Sequence, residues 1–206
     1  MTLVIRCRPP FCHFEGMLKI GVGRDHGFDE PLGLLSDCHR RIEHFLAVLA
    51  ALADRAGGRE LDVAERRQLE GALTYFKTAG PRHTADEEES LFPRLEASCD
   101  PSAAAAQEII QRLEHDHAEA DLMHKAVDRL GRAWLDGSLA PGAIQELQRL
   151  LERLRCLYQA HISVEDQQLF PAAARILSDQ QLRVIGGEMA RRRAVDFRVT
   201  STSLPS

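Results

Sequence analysis

Two segments of the chain share a residue spacing that could bind a metal. Each places a glutamate four residues after a histidine and then ends in Leu-Phe-Pro; one contains His83 and Glu87, the other His161 and Glu165. In an α-helix, residues four apart lie on the same face, so each segment would present an imidazole beside a carboxylate. Nitrogen and oxygen donors without thiolate suit iron and disfavour iron–sulfur or structural zinc chemistry. Each segment therefore predicts half of a metal site.

The two segments belong to a longer internal repeat. Its offset is 78 residues, the separation of His83 from His161, and the same offset takes His39 to His117. Self-similarity at a fixed offset is the sequence signature of repeated structural units. We therefore predict two helix pairs, each with one histidine on its first helix and a histidine and a glutamate on its second.

The repeat predicts six ligands around two metal ions. Two bridging glutamates, with two histidines on each metal, would give every metal four protein ligands and leave room for an oxygen bridge and an exchangeable small molecule. Burial of these side chains without partners would cost roughly 2–7 kcal/mol each, which favours a metal over a metal-free polar core. The predicted ligands are His39, His83, Glu87, His117, His161 and Glu165.

Alternatives remain on the residues alone. Manganese or zinc would accept the same donors. A ferritin-type site is disfavoured, because its Glu-x-x-His motif places the glutamate first. A metal-free bundle would need the six side chains to be exposed or paired with one another. Around them, the predicted neighbours of the site are His124, Asp121 and Tyr158; no residue is assigned a catalytic role.

The apolar periodicity predicts the elements that position these residues. Short connections between four long helices indicate an all-α, up-down-up-down four-helix bundle, with a proline at position 81 that kinks or splits the second helix. The pattern Ser178 to Gln181 predicts the start of a short fifth, C-terminal helix. The long helices are expected at about residues 30–55, 62–96, 103–135 and from after residue 141 to about 176. The predicted division is an irregular N-terminal extension at 1–27, the four-helix domain at 28–177, and a short helix and tail at 178–206.

Composition excludes several classes of partner. A net charge of −5 and a pI near 6.0 give no basic footprint for nucleic acid. No stretch approaches the roughly 20 apolar residues of a membrane helix, and the N-terminus lacks the form of a secretory signal, so we expect a cytoplasmic protein. The five cysteines are odd in number and lack close CxxC pairs, which predicts reduced, mostly buried thiols. Cys38, beside His39, is the one that could be redox-active.

The same residues resemble the hemerythrin-like HHE cation-binding domain over about residues 30–176. The resemblance rests on His39, on Asp116-His117, and on the two HxxxE segments with their Leu-Phe-Pro endings. It implies a four-helix bundle around two non-haem iron ions joined by an oxo or hydroxo bridge. Members of the family bind dioxygen, sense oxygen or iron, or protect and repair iron centres under nitrosative and oxidative stress.

The chain departs from the oxygen-carrying hemerythrins in two places. Those proteins have a second histidine four residues after the position of His117, where this chain has Asp121. They also place the last carboxylate five residues after the histidine, whereas Glu165 follows His161 by four, as in the bacterial stress-related branch, and Asp166 could compete with it. The resemblance thus implies a more open second iron and favours chemistry with nitric oxide or peroxide over simple oxygen carriage.

Two hypotheses of function follow. The first is a di-iron protein that binds or reacts with dioxygen, nitric oxide or peroxide in stress response or repair of iron centres. The alternative is an oxygen- or iron-responsive sensor or interaction module without turnover, so enzymatic activity is left open. An apolar face on the first or third helix would support a homodimer.

Overall fold

The computed structural model describes residues 26–100 and 103–195, with the side chains of 103–105 excepted. Within these residues the secondary structure is entirely helical. Nearly all of the predicted N-terminal extension, and the tail from residue 196, lie outside the described part of the chain. The helices are α1 (Pro31–Ala56), α2 (Val63–Thr78), α3 (Gly80–Asp86), α4 (Phe92–Glu96), α5 (Ala103–Leu135), α6 (Ala143–Val164), α7 (Phe170–Ile176) and α8 (Asp179–Arg192).

The predicted bundle is confirmed. Helices α1 and α5 each pack against both α2 and α6, which closes a four-helix ring, and α8 packs across α1 and α3. Local sequence sets the ends of these helices. Gly57, with a φ of 57°, ends α1 in the left-handed conformation that glycine adopts without strain. Capping boxes at Asp62 and Ser178 begin α2 and α8, the second as predicted.

Two π-helical turns interrupt the second and fourth long helices, at Glu87–Leu91 and Glu165–Leu169. Each turn is followed by Phe-Pro. A proline within a helix has no N–H to donate, and its ring clashes with the carbonyl four residues earlier. The wider turn avoids this conflict: Phe92 and Phe170 donate to the carbonyls of Glu87 and Glu165, five residues back. The Leu-Phe-Pro ending therefore places each glutamate at the first position of a π turn.

The buried residues form two apolar clusters, one on each side of a polar layer. On α1, Leu35 belongs to one cluster and Ile42 to the other, with His39 between them. On α5, His117 lies in the same way between Leu113 and Ala120. The bundle thus holds its polar residues in a layer closed above and below by apolar packing.

The predictions on membrane-spanning helices and on cysteine burial have different outcomes. None of the described helices is long and apolar enough to cross a membrane. The expectation that the thiols are mostly buried is wrong among the described cysteines, since Cys38 is buried but Cys99 and Cys156 are exposed. Cys156 lies on α6, and Cys99 lies in the irregular connection after α4.

Candidate metal centre

The structure brings all six predicted ligands together in the polar layer. Each has at most 8% of its surface exposed, and both glutamates have none. The carboxylate of Glu165 lies 3.0 Å from His39 Nε2 and 3.2 Å from His161 Nε2. Glu87 has one carboxylate oxygen 3.3 Å from His83 Nε2 and the other 3.3 Å from His117 Nε2. Four helical segments therefore point their imidazole Nε2 atoms at two central carboxylates.

These atoms form two overlapping groups, each of which could hold a metal ion. In each group, one donor atom from every residue lies within 4.8 Å of the others. Glu87 and Glu165 belong to both groups. The histidines divide into pairs, with His39 and His83 in one group and His117 and His161 in the other.

The polar atoms at the centre lie 3.0–3.3 Å from one another but make no hydrogen bond of suitable geometry. The lack of a hydrogen bond holds for all four carboxylate oxygens of Glu87 and Glu165 and for Nε2 of His39, His117 and His161. Buried polar atoms in native proteins nearly always have a partner, and leaving them without one costs free energy. Two cations between the carboxylates and the imidazoles would satisfy these atoms, so the residues fit a pair of metal ions.

The opposite nitrogens of three of these histidines are held by acidic side chains. His39 Nδ1 lies 3.1 Å from Asp166, and His117 Nδ1 lies 2.8 Å from Glu88. His161 Nδ1 lies 3.4 Å from Asp116. Such outer carboxylates fix the orientation of a metal-binding imidazole and increase its basicity.

Asp166 therefore lies on the outer side of His39, away from the central atoms with which it was expected to compete, and also accepts a hydrogen bond from Ser36. The role of Glu88 was missed by sequence reasoning. The repeat contained a signal for it, because positions 88 and 166 are both acidic and each directly follows one of the two glutamates predicted as ligands. Each of these two acids reaches across to a histidine of the other helix pair.

The pKa values reflect the crowding of charge in the cluster. Burial, together with the Glu165 carboxylate, raises the pKa of Glu87. Burial alone would also raise the pKa of Glu165, but the adjacent imidazoles of His161 and His39 lower it. Burial alone would lower the pKa of His39, yet Asp166 and Glu165 raise it to about 10. Burial and the adjacent His39 lower the pKa of His83 well below its usual range, and Glu165 offsets this only in part.

A surface cavity of about 300 Å³ borders the cluster at His117. His117, His124 and Tyr158 line it, and His124 Nε2 lies 3.0 Å from the Tyr158 hydroxyl. Burial lowers the pKa of His124 to about 4, so this imidazole is neutral near pH 7. Asp121 also lines the cavity, but it is exposed and pairs with Lys125 at 2.6 Å. Two other histidines on the same long helices, His44 on α1 and His115 on α5, are exposed.

Comparison with known proteins agrees with this geometry. A protein of Haemophilus influenzae (strain Rd) described as uncharacterized is 29% identical over 168 residues, which cover 82% of this chain and 92% of the relative. The sequence pattern of the hemerythrin HHE cation binding domain matches residues 30–173, a range that contains all six converging side chains. The chain therefore belongs to the hemerythrin HHE cation-binding domain family.

Proposed function

We propose that this protein holds two iron ions at the histidine–glutamate cluster and binds or reacts with dioxygen, nitric oxide or peroxide, in the response to oxidative or nitrosative stress or in the repair of iron centres. The observation that supports it is the pair of four-residue groups that share Glu87 and Glu165. A purely polar core would not leave seven nitrogen and oxygen atoms at its centre without partners.

The proposed ligands are the six residues of the two groups. One ion would take His39 and His83, and the other His117 and His161, with both glutamates shared. Four protein ligands leave coordination positions free on each ion, and paired iron ions bind and exchange electrons with dioxygen, nitric oxide and peroxide. Manganese and zinc would accept the same donors, so the native metal needs a direct measurement.

The surroundings of the cluster favour reaction over simple oxygen carriage. The cavity reaches His117, and the side chain at position 121, where oxygen carriers have a histidine, is an exposed aspartate. Tyr158 and His124 provide a hydroxyl and a neutral imidazole in the wall of the cavity, where they can donate or accept a hydrogen bond with a small ligand.

Metal analysis on protein purified without oxygen tests the proposal. We expect two irons per chain, and new near-ultraviolet absorption after exposure to air. The double variant His83→Ala/His161→Ala should lose the metal. Its matched control, His44→Ala/His115→Ala, removes two exposed histidines and should keep it. Protein that stays helical but neither contains nor takes up iron would contradict the proposal.

A second candidate, a sensor without turnover, is favoured by one contact. Asp86 directly precedes Glu87, is fully buried, and binds Arg192 at 3.0 Å and Arg193 at 2.6 Å at the end of α8. A movement of Glu87 on metal binding would therefore shift Asp86 and its ion pairs with the end of α8. Hydrogen exchange in α8 that changes with iron loading, in protein that consumes neither peroxide nor nitric oxide, would select this function over the first.

A further inference from the structure

Three of the four histidines in the cluster have an acidic partner on Nδ1, and His83 does not. The His83 side chain is only 4% exposed, and its Nδ1 has no hydrogen-bond partner. The group formed by His39 and His83 therefore has one acidic partner, Asp166, which holds His39. The group formed by His117 and His161 has a carboxylate on both.

The internal repeat shows where the missing partner would be. In the 78-residue repeat, His39 corresponds to His117 and Glu88 corresponds to Asp166. The contact of His39 with Asp166 is therefore equivalent to the contact of His117 with Glu88. The same offset takes Asp116, the partner of His161, back to position 38. That position is a cysteine.

Cys38 does not replace the carboxylate. Its side chain is 6% exposed, and its sulfur lies 3.8 Å from Arg41 Nη1. Together with Arg82 and Arg193 it lines a small cavity of about 120 Å³. A thiol is a weak hydrogen-bond acceptor, and Cys38 makes no hydrogen bond with His83.

From this asymmetry we infer that the two metal positions are unequal: the one formed by His117 and His161 holds its ion tightly, and the one formed by His39 and His83 holds its ion weakly and exchanges it first. Loss of an outer partner of a metal-binding histidine typically lowers metal affinity about 10–100-fold. The difference between the positions should fall in this range. The inference rests on the proposed pair of metal ions.

Reciprocal exchange of the two equivalent residues tests it. The probe is Fe²⁺, titrated without oxygen into metal-free full-length protein in competition with a chromophoric chelator. Wild-type protein should bind in two steps whose dissociation constants differ about 10–100-fold. Asp116→Cys should weaken the stronger step by a similar factor, and Cys38→Asp should strengthen the weaker one. His83→Ala should remove the weaker step and keep the stronger.

Matched controls separate positioning from folding. Glu119→Gln changes an exposed acid on the same helix, which pairs with Arg153, and should leave both steps unchanged. Circular dichroism confirms that each variant is folded before titration. Two equal steps in the wild-type protein, or a stronger step that survives Asp116→Cys unchanged, would overturn the inference and leave the proposed function standing. Absence of any Fe²⁺ binding by the wild-type protein would instead reject the proposed function.

Discussion

The two halves of the bundle supply equivalent candidate ligands in different surroundings. Each half gives one histidine from its first helix and a histidine and a glutamate from its second, and each glutamate opens a π turn. The positions around them do not match. Asp86 corresponds to Val164 and His124 to Leu46. The geometry of the central donors is thus shared, whereas the features that could distinguish one metal position from the other lie in the residues where the halves differ.

The largest expected effect is the loss of a shared glutamate, which should weaken metal binding equally in both halves. Glu87 and Glu165 each belong to both groups, so Glu87→Gln and Glu165→Gln should each weaken binding at both metal positions, by more than the roughly 100-fold that loss of an outer partner can cause. His83→Ala or His161→Ala should empty only one position. Elemental analysis after desalting measures the difference. A glutamate variant that retains both ions would show that this carboxylate does not bridge them.

The next effect, on the free energy of unfolding, should differ between the halves. Asp86→Ala removes the fully buried carboxylate that pairs with Arg192 and Arg193, and among the described residues only Arg192 keeps a second carboxylate, that of Glu89. We expect a loss of about 3–4 kcal/mol in the free energy of unfolding. At the equivalent position, Val164→Ala deletes two methyl groups from a half-buried side chain and should cost about 1 kcal/mol. Chemical denaturation measures both.

The surface contact of the same arginine is the control. Glu89→Ala breaks the pair that Arg192 forms with an exposed carboxylate, which is worth less than about 1 kcal/mol. Equal losses from Asp86→Ala and Val164→Ala would show that α8 does not depend on Asp86.

In metal-free protein the two glutamates should respond to pH with opposite signs. Glu165 has imidazole nitrogens at 3.0 and 3.2 Å, whereas the nearest to Glu87 are at 3.3 Å, so Glu87 is the carboxyl whose pKa rises. A raised carboxyl pKa destabilises the folded state increasingly as pH rises above the usual value of 4.5. Glu87→Gln should therefore stabilise metal-free protein at pH 8 by about 1–3 kcal/mol and have little effect near pH 4.

Glu165 has the lowered pKa, so its charge stabilises the fold above pH 4.5 and this contribution is lost in acid. Glu165→Gln should then destabilise metal-free protein at pH 8. Urea denaturation of both variants in the presence of a chelator, from pH 4 to pH 8, measures the two trends. Trends of the same sign would mean that the two carboxyls share their proton equally.

Sequence reasoning located the bundle and the six side chains that converge in it, because both depend on spacing. His39 and Glu165 lie on apolar stripes, and the 78-residue offset identifies the same positions twice. What spacing could not give were contacts between helices, such as Glu88 with His117, because these depend on how two elements pack. The π turns were missed for a related reason: the proline of each Leu-Phe-Pro ending can be accommodated by a kink, a break or a wider turn, and the sequence does not say which.

The smallest expected effect concerns the polar pair that only the second half contains. Tyr158→Phe removes the hydroxyl 3.0 Å from His124 Nε2 and leaves both nitrogens of that imidazole without a partner, which should cost about 1 kcal/mol. Adding His124→Leu introduces the residue that the first half has at the equivalent position, Leu46. The double variant should recover most of the lost stability, because replacing both partners by apolar groups leaves no buried donor unsatisfied.

Metal content separates the role of this pair from that of the ligands. Neither side chain belongs to the two groups of donors, so iron content should stay the same in Tyr158→Phe and in the double variant. The rate of reaction with peroxide or nitric oxide, followed by the iron absorption bands, should change in both, because the cavity wall loses its hydroxyl. Unchanged rates with unchanged iron content would mean that the cavity does not lead the ligand to the metal, and that the difference between the halves at this point affects stability alone.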